Sequence, residues 1–595
     1  MSLFDHSRLV AGLSQILYRD VQSGTLEDTE VNVLRRCLRE KDLAHSLMGK
    51  PLFYLWKADL SGIQRFIFTV PSDQAVRMIK GRSVYLDLLM RYVVKYLLRE
   101  LKLSSACLLY LGGGNAEVLL PFGAEAILRQ IREKIVTTLF HFHQGELYLA
   151  MEWLPVSLSD LFRFMETREA LQQRIENRKK QKFLELGEEA FFRNFFVPGN
   201  EVVRENEGCK RCGRKKGDGV LCPSCESFVD FTDKLKRSRY LLEEEVPPLE
   251  RFPQEVWEVF ECLGFRITFS REAFSSKRVY RLEEVSLETE RKDRLADGFL
   301  PGSFRLPEVT FEEISQFSVD DGYGDPALVY LKMDVDNLGT LFVKLAEKGR
   351  ERASALSLYR AFSRRLELFF GVYLVHFIRK RMEKGCVYPV FAGGDDLFLI
   401  GSWREMATLA QEIRQEFARF TGFSRLLTLS GGLVFVPPKF PAIRASQSVE
   451  DALEQAKGFR YPGEEHDESR VVKDKVSVFE EVLRWKEYQI ALELYQELEE
   501  RVRDGERAVP RAIFRKIEQS LSGFSTLLND SLQGVLRFPR IWRFLYFLRD
   551  HRDIAQKNEE ILLGNVLQRE EIRNARLVLV ANRLAAMATR KGKER

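Results

Sequence analysis

The fold of this chain is constrained most by four consecutive residues, Gly393-Gly394-Asp395-Asp396. They lie between two apolar runs, residues 387–392 and 397–400, as a tight turn between two paired strands would. Such a turn presents two carboxylates at one end of a sheet. An ordinary hairpin turn can have the same composition, so this feature needs a second one to indicate chemistry.

A second pair of acids supplies that feature. Residues 327–333 form another apolar run, which leads into Asp334-Val335-Asp336. Strand side chains repeat every two residues, so both aspartates are expected on the same face. If the two strands are neighbours, up to four carboxylates converge, and their repulsion favours bound divalent cations such as magnesium or manganese. Two such ions suit nucleotidyl transfer, since one activates a hydroxyl and the other carries the triphosphate.

The segment between the two acid pairs has helical patterning over residues 341–383. Together with the two apolar runs it predicts a strand-helix-helix-strand unit. Because both acid pairs lie at the ends of strands of this unit, a catalytic site is favoured over an ordinary hairpin turn.

The first half of the chain contains a weaker version of the same pattern. A strand-like run at residues 53–58 ends in Asp59-Leu60-Ser61-Gly62, and another at 106–111 is followed by Gly112-Gly113-Gly114-Asn115. Asp59 precedes Gly112 by 53 positions and Asp334 precedes Gly393 by 59. The two regions are therefore predicted to share one topology.

The two regions do not share their acids. Ser61 stands where the later region has Asp336, and Gly114 and Asn115 stand where it has Asp395 and Asp396. We expect the first region to bind a nucleotide without catalysing, because glycines let backbone N–H groups approach phosphates or a ribose. The alternative is a structural repeat with no ligand.

Four of the eight cysteines form two pairs, Cys209-x-x-Cys212 and Cys222-x-x-Cys225, separated by nine residues. This spacing predicts one tetrahedral zinc site. Four thiolates leave no open catalytic position, so the zinc is expected to stabilise a small module. The remaining cysteines lie mostly in apolar surroundings and are predicted packing residues: Cys37, Cys107, Cys262 and Cys386.

Length and charge limit the remaining possibilities. At 595 residues the chain should form three to five domains, and a net charge of +5 is too balanced to indicate nucleic-acid binding by itself. The sequence has no apolar run of about eighteen residues and no secretory signal, so we expect a soluble cytoplasmic protein without disulfides. Basic residues are concentrated at 178–182 and at Lys210, Arg211, Arg214, Lys215 and Lys216. These stretches could contact RNA phosphates, although a solvated helix face explains the first equally well.

Taken together, these motifs resemble the large subunit of type III CRISPR effector complexes, the cyclic-oligoadenylate synthase. The resemblance covers nearly the whole chain in the expected order. It is carried by the paired cysteines and by residues 59–68 (DLSGIQRFIF), 80–86 (KGRSVYL), 112–114 (GGG), 332–339 (KMDVDNLG) and 391–396 (FAGGDD). Residues 430–432, 437–441, 456–457 and 473–479 are similar to the family's second palm domain. A simple diguanylate cyclase would explain the turn but not the first region or the cysteines.

The resemblance implies an α+β multidomain fold with two ferredoxin-like palm domains of the nucleotide cyclase (GGDEF-like) type, a zinc-binding module and a C-terminal helical bundle. Helical spacing beyond about residue 484 and the aromatic stretch 538–547 agree with the bundle. The implied domains are a short helical N-terminal remnant (1–50), a degenerate first palm (51–165), a zinc-knuckle and helical linker domain (166–320), a catalytic second palm (321–483) and the helical domain (484–595).

The resemblance also implies the activity. When a target RNA pairs with the guide crRNA, a 3′-hydroxyl of one ATP would attack the α-phosphate of another and build cyclic oligoadenylates. Asp334 and Asp395 would lead the binding of two Mg²⁺ or Mn²⁺ ions, assisted by Asp336 and Asp396. The implied nucleotide-binding residues are Asp59, Ser61, Gly62, Gly112, Gly113, Gly114, Asn337, Gly393, Gly394, Ser430, Lys457 and Lys473, and the two lysines would hold the triphosphate. The implied partners are the small helical subunit and the backbone subunits.

One departure from the family concerns its N-terminal HD nuclease domain. The first palm strand begins near Pro51, and about fifty residues cannot hold that domain. Asp5-His6 lacks the upstream ligands, and the one His-Asp pair, His466-Asp467, lies in a polar stretch. We therefore expect no DNase activity from this chain. Two other functions stay open: a non-catalytic scaffold of the complex, and a nucleotidyltransferase that joins AMP to a different acceptor.

Overall fold

The computed structural model describes residues 3–40, 46–70, 75–196, 208–209, 221–274, 278–282, 298–299, 309–339, 341, 355–461, 473–503, 511–521 and 571–591. Several predicted features lie outside these ranges: Cys212, the basic residues 210–216, the His466-Asp467 pair and the aromatic stretch 538–547.

The described helices, in chain order, are α1 (Leu3–Gln22), α2 (Asp28–Glu40), α3 (Ile63–Phe68), α4 (Ala75–Glu100), α5 (Glu125–His143), α6 (Leu158–Phe162), α7 (Phe164–Lys180), α8 (Glu188–Phe195), α9 (Pro223–Lys236), α10 (Val256–Cys262), α11 (Phe311–Gln316), α12 (Ala355–Leu368), α13 (Leu374–Lys384), α14 (Trp403–Phe420), α15 (Ala442–Gly458), α16 (Trp485–Arg503), α17 (Ala512–Leu521) and α18 (Glu571–Ala588). A π-helical turn, Phe369–Tyr373, joins α12 to α13. None of the described helices is long and apolar enough to cross a bilayer.

The described strands are β1 (Pro51–Ser61), β2 (Leu108–Gly112), β3 (Asn115–Pro121), β4 (Tyr148–Ser157), β5 (Tyr240–Glu245), β6 (Phe265–Ser270), β7 (Arg278–Arg281), β8 (Gly298–Phe299), β9 (Leu328–Val335), β10 (Val387–Gly393), β11 (Asp396–Ser402), β12 (Leu429–Val436), β13 (Lys475–Val478) and β14 (Glu481–Arg484). Two compact units divide the chain. The first comprises Met1–Leu306, Leu338–His376 and Phe391–Asp395, and the second comprises Pro307–Asn337, Phe377–Val390 and Asp396–Arg595.

The first sheet, in the first unit, has the strand order β2-β3-β1-β4 with antiparallel pairing. Helices α3 and α4 connect β1 to β2, and α5 connects β3 to β4. This is the βαββαβ order of ferredoxin-like domains. The β2–β3 turn is formed by Gly113 and Gly114, both at positive φ, which only glycine adopts without cost.

The second sheet has the order β10-β11-β9-β12-β13-β14. If β9 to β12 are numbered one to four along the chain, their order in the sheet is 2-3-1-4, which is also the order of the first sheet. The predicted shared topology is therefore confirmed. Strand β9 is central and almost wholly buried because β11 and β12 flank it and α14 and α15 pack against the sheet. The hairpin β13–β14 extends the sheet through parallel pairing of β12 with β13.

A third sheet, β6-β5-β7-β8, lies in the region for which a helical linker was expected. Along β6 the side chains of Phe265, Ile267 and Phe269 are buried while Arg266 and Thr268 are exposed. This period-two alternation is a strand signal that the expectation of a helical region overlooked. The region also contains α9 and α10, so it is mixed rather than helical.

Beyond the second sheet the described chain is helical. Helix α18 packs against α16 and α17, with Leu577, Val580 and Leu584 buried at its inner face. This agrees with the helical character predicted after residue 484, and the remaining predicted domain limits stay predictions.

Candidate functional site

The candidate site lies at one end of the second sheet, where β9 finishes. Asp334, the penultimate residue of β9, is the register partner of Asp396 on β11 and of Ser430 on β12. The two strands are neighbours, which was the condition for convergence of their acids, and the pairing places Asp334 and Asp396 side by side across the ladder.

Asp336 follows β9 directly and is fully buried. Its Oδ2 accepts hydrogen bonds from the hydroxyls of Thr428 (2.8 Å) and Ser430 (2.9 Å) and from the backbone N–H of Asp474 (3.0 Å). Burial raises the pKa of the Asp336 carboxyl, and these hydrogen bonds act in the opposite direction. Its other oxygen, Oδ1, is buried and accepts no hydrogen bond from the described residues.

Lys457, near the end of α15, forms an ion pair with Asp334 Oδ2. Burial acts to lower the pKa of Lys457, but Asp334, Glu454 and Asp336 together raise it above its ordinary value. The ammonium group is therefore charged and lies within the field of Asp334 and Asp336. Lys473, the other predicted triphosphate ligand, is half-buried, and its charge acts on Asp336.

The remaining predicted residues of this region lie in two turns. Gly394 and Asp395 form the turn between β10, which ends at Gly393, and β11, which begins at Asp396. Gly394 has a φ of 71°, the left-handed region that favours glycine. Asn337 follows Asp336 with a φ of 57°, which asparagine tolerates better than most residues.

The residues of this site fit a hard divalent cation, since they offer carboxylate oxygens, and Asp336 Oδ1 is buried without a hydrogen-bond donor among the described residues. Convergence on a single point is less complete than predicted. Among the described residues, only three cysteines place three possible ligand atoms within 4.8 Å of one another. For Asp334 to bind a cation through Oδ2, the Lys457 ammonium must move away from that oxygen.

Of the four equivalent positions in the first sheet, only the one occupied by Asp59 is an acid. Asp59 on β1 is the register partner of Asn115 on β3, as Asp334 is of Asp396. Asp59 forms an ion pair with Lys179 of α7 (2.8 Å). Ser61 ends β1, and Gly62 has a φ of 95° and caps α3.

Backbone conformation and local packing both disfavour a side chain at the first turn. A Cβ at Gly114, the counterpart of Asp395, would lie 2.4 Å from Ile63 Cδ1, and the residue has a φ of 78°. A Cβ at Gly62 would lie 2.3 Å from the carbonyl oxygen of Glu146. The backbone conformation and packing at Gly114 and Gly62 therefore favour glycine whether or not a phosphate binds there.

Three of the four predicted zinc ligands are brought together. The Sγ atoms of Cys209, Cys222 and Cys225 lie within 4.8 Å of one another, and all three side chains are buried. Cys222 precedes α9, which begins with Pro223, so the helix start fixes the second pair. Three clustered thiols are the donor set that zinc prefers.

Three residues around the site were missed by the sequence reasoning: Thr428, Arg414 and Asp474. Thr428 precedes Ser430 by two positions, so the period of a strand could have located it. Arg414 binds Asp474 with its guanidinium from a helix 60 residues away, a contact that has no local signal. The predicted basic stretch 178–182 is also partly engaged, since Arg178 binds Glu152 and Lys179 binds Asp59.

Two family models match the chain. Residues 52–196 match the model described as Csm1 subunit domain B, and residues 327–461 match the second palm domain of Cas10/Cmr2. The two matched regions contain the first sheet and the first four strands of the second.

Curated relatives agree with these models. The chain is 28% identical over 551 residues to the Cas10/Csm1 single-strand-specific deoxyribonuclease (subtype III-A) of Methanocaldococcus jannaschii, covering 82% of this chain and 66% of the relative. It is 29% identical over 515 residues to the protein of the same description from Thermococcus onnurineus, covering 77% and 58%. The chain thus spans less than two thirds of the length of these relatives.

Solved structures share the fold. The Csm1–Csm4 subcomplex of the type III-A CRISPR-Csm interference complex aligns with a TM-score of 0.70 and 21% identity, covering 99% of this chain and 75% of the other. A Csm1–Csm4 cassette in complex with cA3 aligns with a TM-score of 0.66 and 22% identity, covering 99% and 74%. The two family models, the relatives and the shared fold therefore make this chain similar, over most of its length, to the Cas10/Csm1 large subunits of type III CRISPR complexes.

Proposed function

We propose that this chain is the nucleotidyltransferase subunit of an RNA-guided type III-A CRISPR complex and converts ATP to cyclic oligoadenylates. The observation that carries the proposal is the register of the second sheet, which pairs Asp334 with Asp396. The buried Asp336 lies two residues after Asp334. Support also comes from related Csm1–Csm4 cassettes, whose solved complexes contain ATP, pppApA, cA3 and cA4.

The proposed catalytic and metal-binding residues are Asp334, Asp336, Asp395 and Asp396. Two Mg²⁺ or Mn²⁺ ions would supply the charge that activates a 3′-hydroxyl and stabilises the triphosphate. Asp336 is held by three donors on Oδ2 and so keeps Oδ1 available as a ligand. The charged Lys457 can exchange Asp334 for a phosphate oxygen, and Lys473 adds positive charge nearby.

The first sheet is proposed to hold the second nucleotide. Its turn at Gly112–Asn115 offers backbone N–H groups, and Asp59, Ser61 and Gly62 lie at the same end of β1. The absence of acids at Gly114 and Asn115 supports binding there without catalysis. Ser430, by contrast, supports the site through Asp336, because its hydroxyl already donates to that carboxylate.

The proposed partners are a guide crRNA, its target RNA, a small helical subunit and a backbone subunit. Related Csm1 structures contain Csm4, which supports the backbone contact. The cysteine cluster is proposed to hold a structural zinc ion, with Cys212 as the fourth ligand.

The test is to reconstitute the chain with its guide complex, add matched target RNA, ATP and Mg²⁺ or Mn²⁺, and analyse the products by mass spectrometry. We expect cyclic oligoadenylates that disappear in the double variant Asp395→Ala and Asp396→Ala. Asp451→Ala, an exposed acid on α15, is the matched control and should leave the product unchanged. A target-binding complex without product would favour a scaffold, and a linear or mixed product would favour a different acceptor.

DNase activity needs a separate assay, because the curated relatives are named as single-strand-specific deoxyribonucleases. We propose that the 595 residues of this chain do not cleave single-stranded DNA. Cleavage by the pure chain with added Mn²⁺ or Ni²⁺ would contradict this, and cleavage that survives the Asp395 and Asp396 substitutions would come from outside the candidate site.

A further inference from the structure

Next to Asp336, Arg414 and Asp474 form a bidentate ion pair. Arg414 Nε lies 2.6 Å from Asp474 Oδ1, and Arg414 Nη2 lies 2.7 Å from Asp474 Oδ2. Both residues belong to the second unit, Arg414 on α14 and Asp474 just before β13. A planar guanidinium that meets both carboxylate oxygens fixes the direction of the carboxylate as well as its charge.

Asp474 is held in an unusual backbone conformation. Its φ is 71°, in the left-handed region, which residues with a Cβ adopt less readily than a helical or extended conformation. Such a conformation persists only where surrounding contacts determine it. The paired Arg414 is the contact that anchors this side chain.

The conformation of Asp474 determines where its backbone N–H points. This N–H donates to Asp336 Oδ2 at 3.0 Å and also lies 3.2 Å from Ser430 Oγ. With the hydroxyls of Thr428 and Ser430, it completes three donors around a single oxygen. Those donors fix the rotation of the Asp336 carboxylate.

We propose that Arg414 and Asp474 are positioning residues, which hold Asp336 so that its Oδ1 is directed to a divalent cation. The inference rests on the proposed function, since it assigns Asp336 to metal binding. Neither residue contacts the substrate in this scheme. Arg414 acts on Asp474, and Asp474 acts on Asp336 through its backbone.

The experiment measures Mn²⁺ binding to the full chain by electron paramagnetic resonance, without ATP or RNA. Arg414→Gln and Asp474→Asn should each weaken Mn²⁺ binding about 10-fold to 100-fold, as is usual for residues that orient a ligand. The double variant should lose no more than either single variant, because both remove the same ion pair. Asp336→Asn serves as the reference for loss of the ligand itself.

Two comparisons separate positioning from general damage. Arg381→Gln removes an arginine of similar exposure that binds Glu405 (3.0 Å) and Glu412 (2.9 Å) in the same unit, and should leave Mn²⁺ binding unchanged. Asp474→Gly should retain more Mn²⁺ binding than Asp474→Ala, because glycine adopts positive φ at little cost and keeps the N–H.

The outcomes distinguish this inference from the proposed function. Normal Mn²⁺ binding by Arg414→Gln and Asp474→Ala, with binding lost in Asp336→Asn, would overturn the positioning role and leave the synthase proposal intact. If the wild-type complex makes no nucleotide product while Arg414→Gln and Asp474→Ala still weaken Mn²⁺ binding, the synthase proposal is overturned and the positioning role is supported. Equal loss in Arg381→Gln would also contradict the inference.

Discussion

A Cβ added to Gly112 would lie 2.9 Å from the Cα of Gly394, so these two glycines of the first unit pack backbone against backbone. Gly394 is further confined by Tyr110, whose hydroxyl would lie 2.8 Å from a Cβ at that position. The turn that carries Asp395 is therefore fixed by close packing as well as by its own φ of 71°.

We predict that Gly394→Ala lowers oligoadenylate synthesis by on the order of 10-fold to 100-fold, because the shifted turn misplaces its aspartates. The left-handed alanine should also destabilise the fold by about 1–2 kcal/mol. Gly49→Ala is the control, since Gly49 lies outside the candidate site and has no neighbour within 4 Å of a Cβ and no positive φ. Equal synthesis by both variants, measured by mass spectrometry, would show that the packing of Gly394 is unimportant.

A second prediction concerns Gly114, where a Cβ would lie 2.4 Å from Ile63 Cδ1. Gly114→Ala should lower the melting temperature, and adding Ile63→Ala should recover part of the loss by removing the clash. Gly113→Asn should be nearly neutral, because Gly113 has open space around it and asparagine tolerates positive φ. Thermal unfolding of the three variants and the wild type checks this, and no recovery in the double variant would mean that backbone strain alone is responsible.

Sequence reasoning located the aspartates because strand periodicity and turn chemistry are local. It predicted the repeat of the two sheets from the order and spacing of their strand-like runs and turns, and the register of Asp59 with Asn115 and of Asp334 with Asp396 matches that prediction. It could not predict the pairing of Lys457 with Asp334, which lies 123 residues away, or of Arg414 with Asp474. Such contacts depend on how helices pack on a sheet, which no single segment encodes.

The third prediction concerns Glu117 of β3, a fully buried carboxylate in the first unit. It accepts hydrogen bonds from Lys57 (2.8 Å), Arg168 (2.9 Å) and the hydroxyl of Tyr359 (2.6 Å). Burial acts to raise the pKa of Glu117, but Arg168 and Lys57 outweigh it and hold the pKa at about 2. Because the folded pKa is depressed, this cluster stabilises the fold above the ordinary pKa of 4.5 and loses that effect as pH falls towards 2.

Glu117→Gln should therefore destabilise the first unit at pH 7 by about 3–5 kcal/mol, because the buried Lys57 and the partly buried Arg168 lose their counter-charge. The difference from wild type should shrink as pH falls below 4.5. Glu189→Gln, which removes an exposed ion pair with Arg193 on α8, should leave the melting curve unchanged. A difference between Glu117→Gln and wild type that is independent of pH would exclude the charge explanation.

The last prediction concerns the cysteine cluster and the helix that follows it. Cys222 and Cys225 flank the start of α9, whose Phe228 contacts Tyr85 of α4 with ring centroids 5.2 Å apart. If zinc joins these cysteines, its removal should loosen α9 from α4.

We expect about one zinc per chain by elemental analysis. Cys222→Ser or a strong chelator should remove the zinc and accelerate hydrogen exchange in residues 223–236. Cys37→Ser, at a buried cysteine outside the cluster, should keep both the zinc and the protection. Unchanged zinc content in Cys222→Ser would contradict the assignment, because a tetrahedral thiolate site cannot lose a ligand without losing affinity.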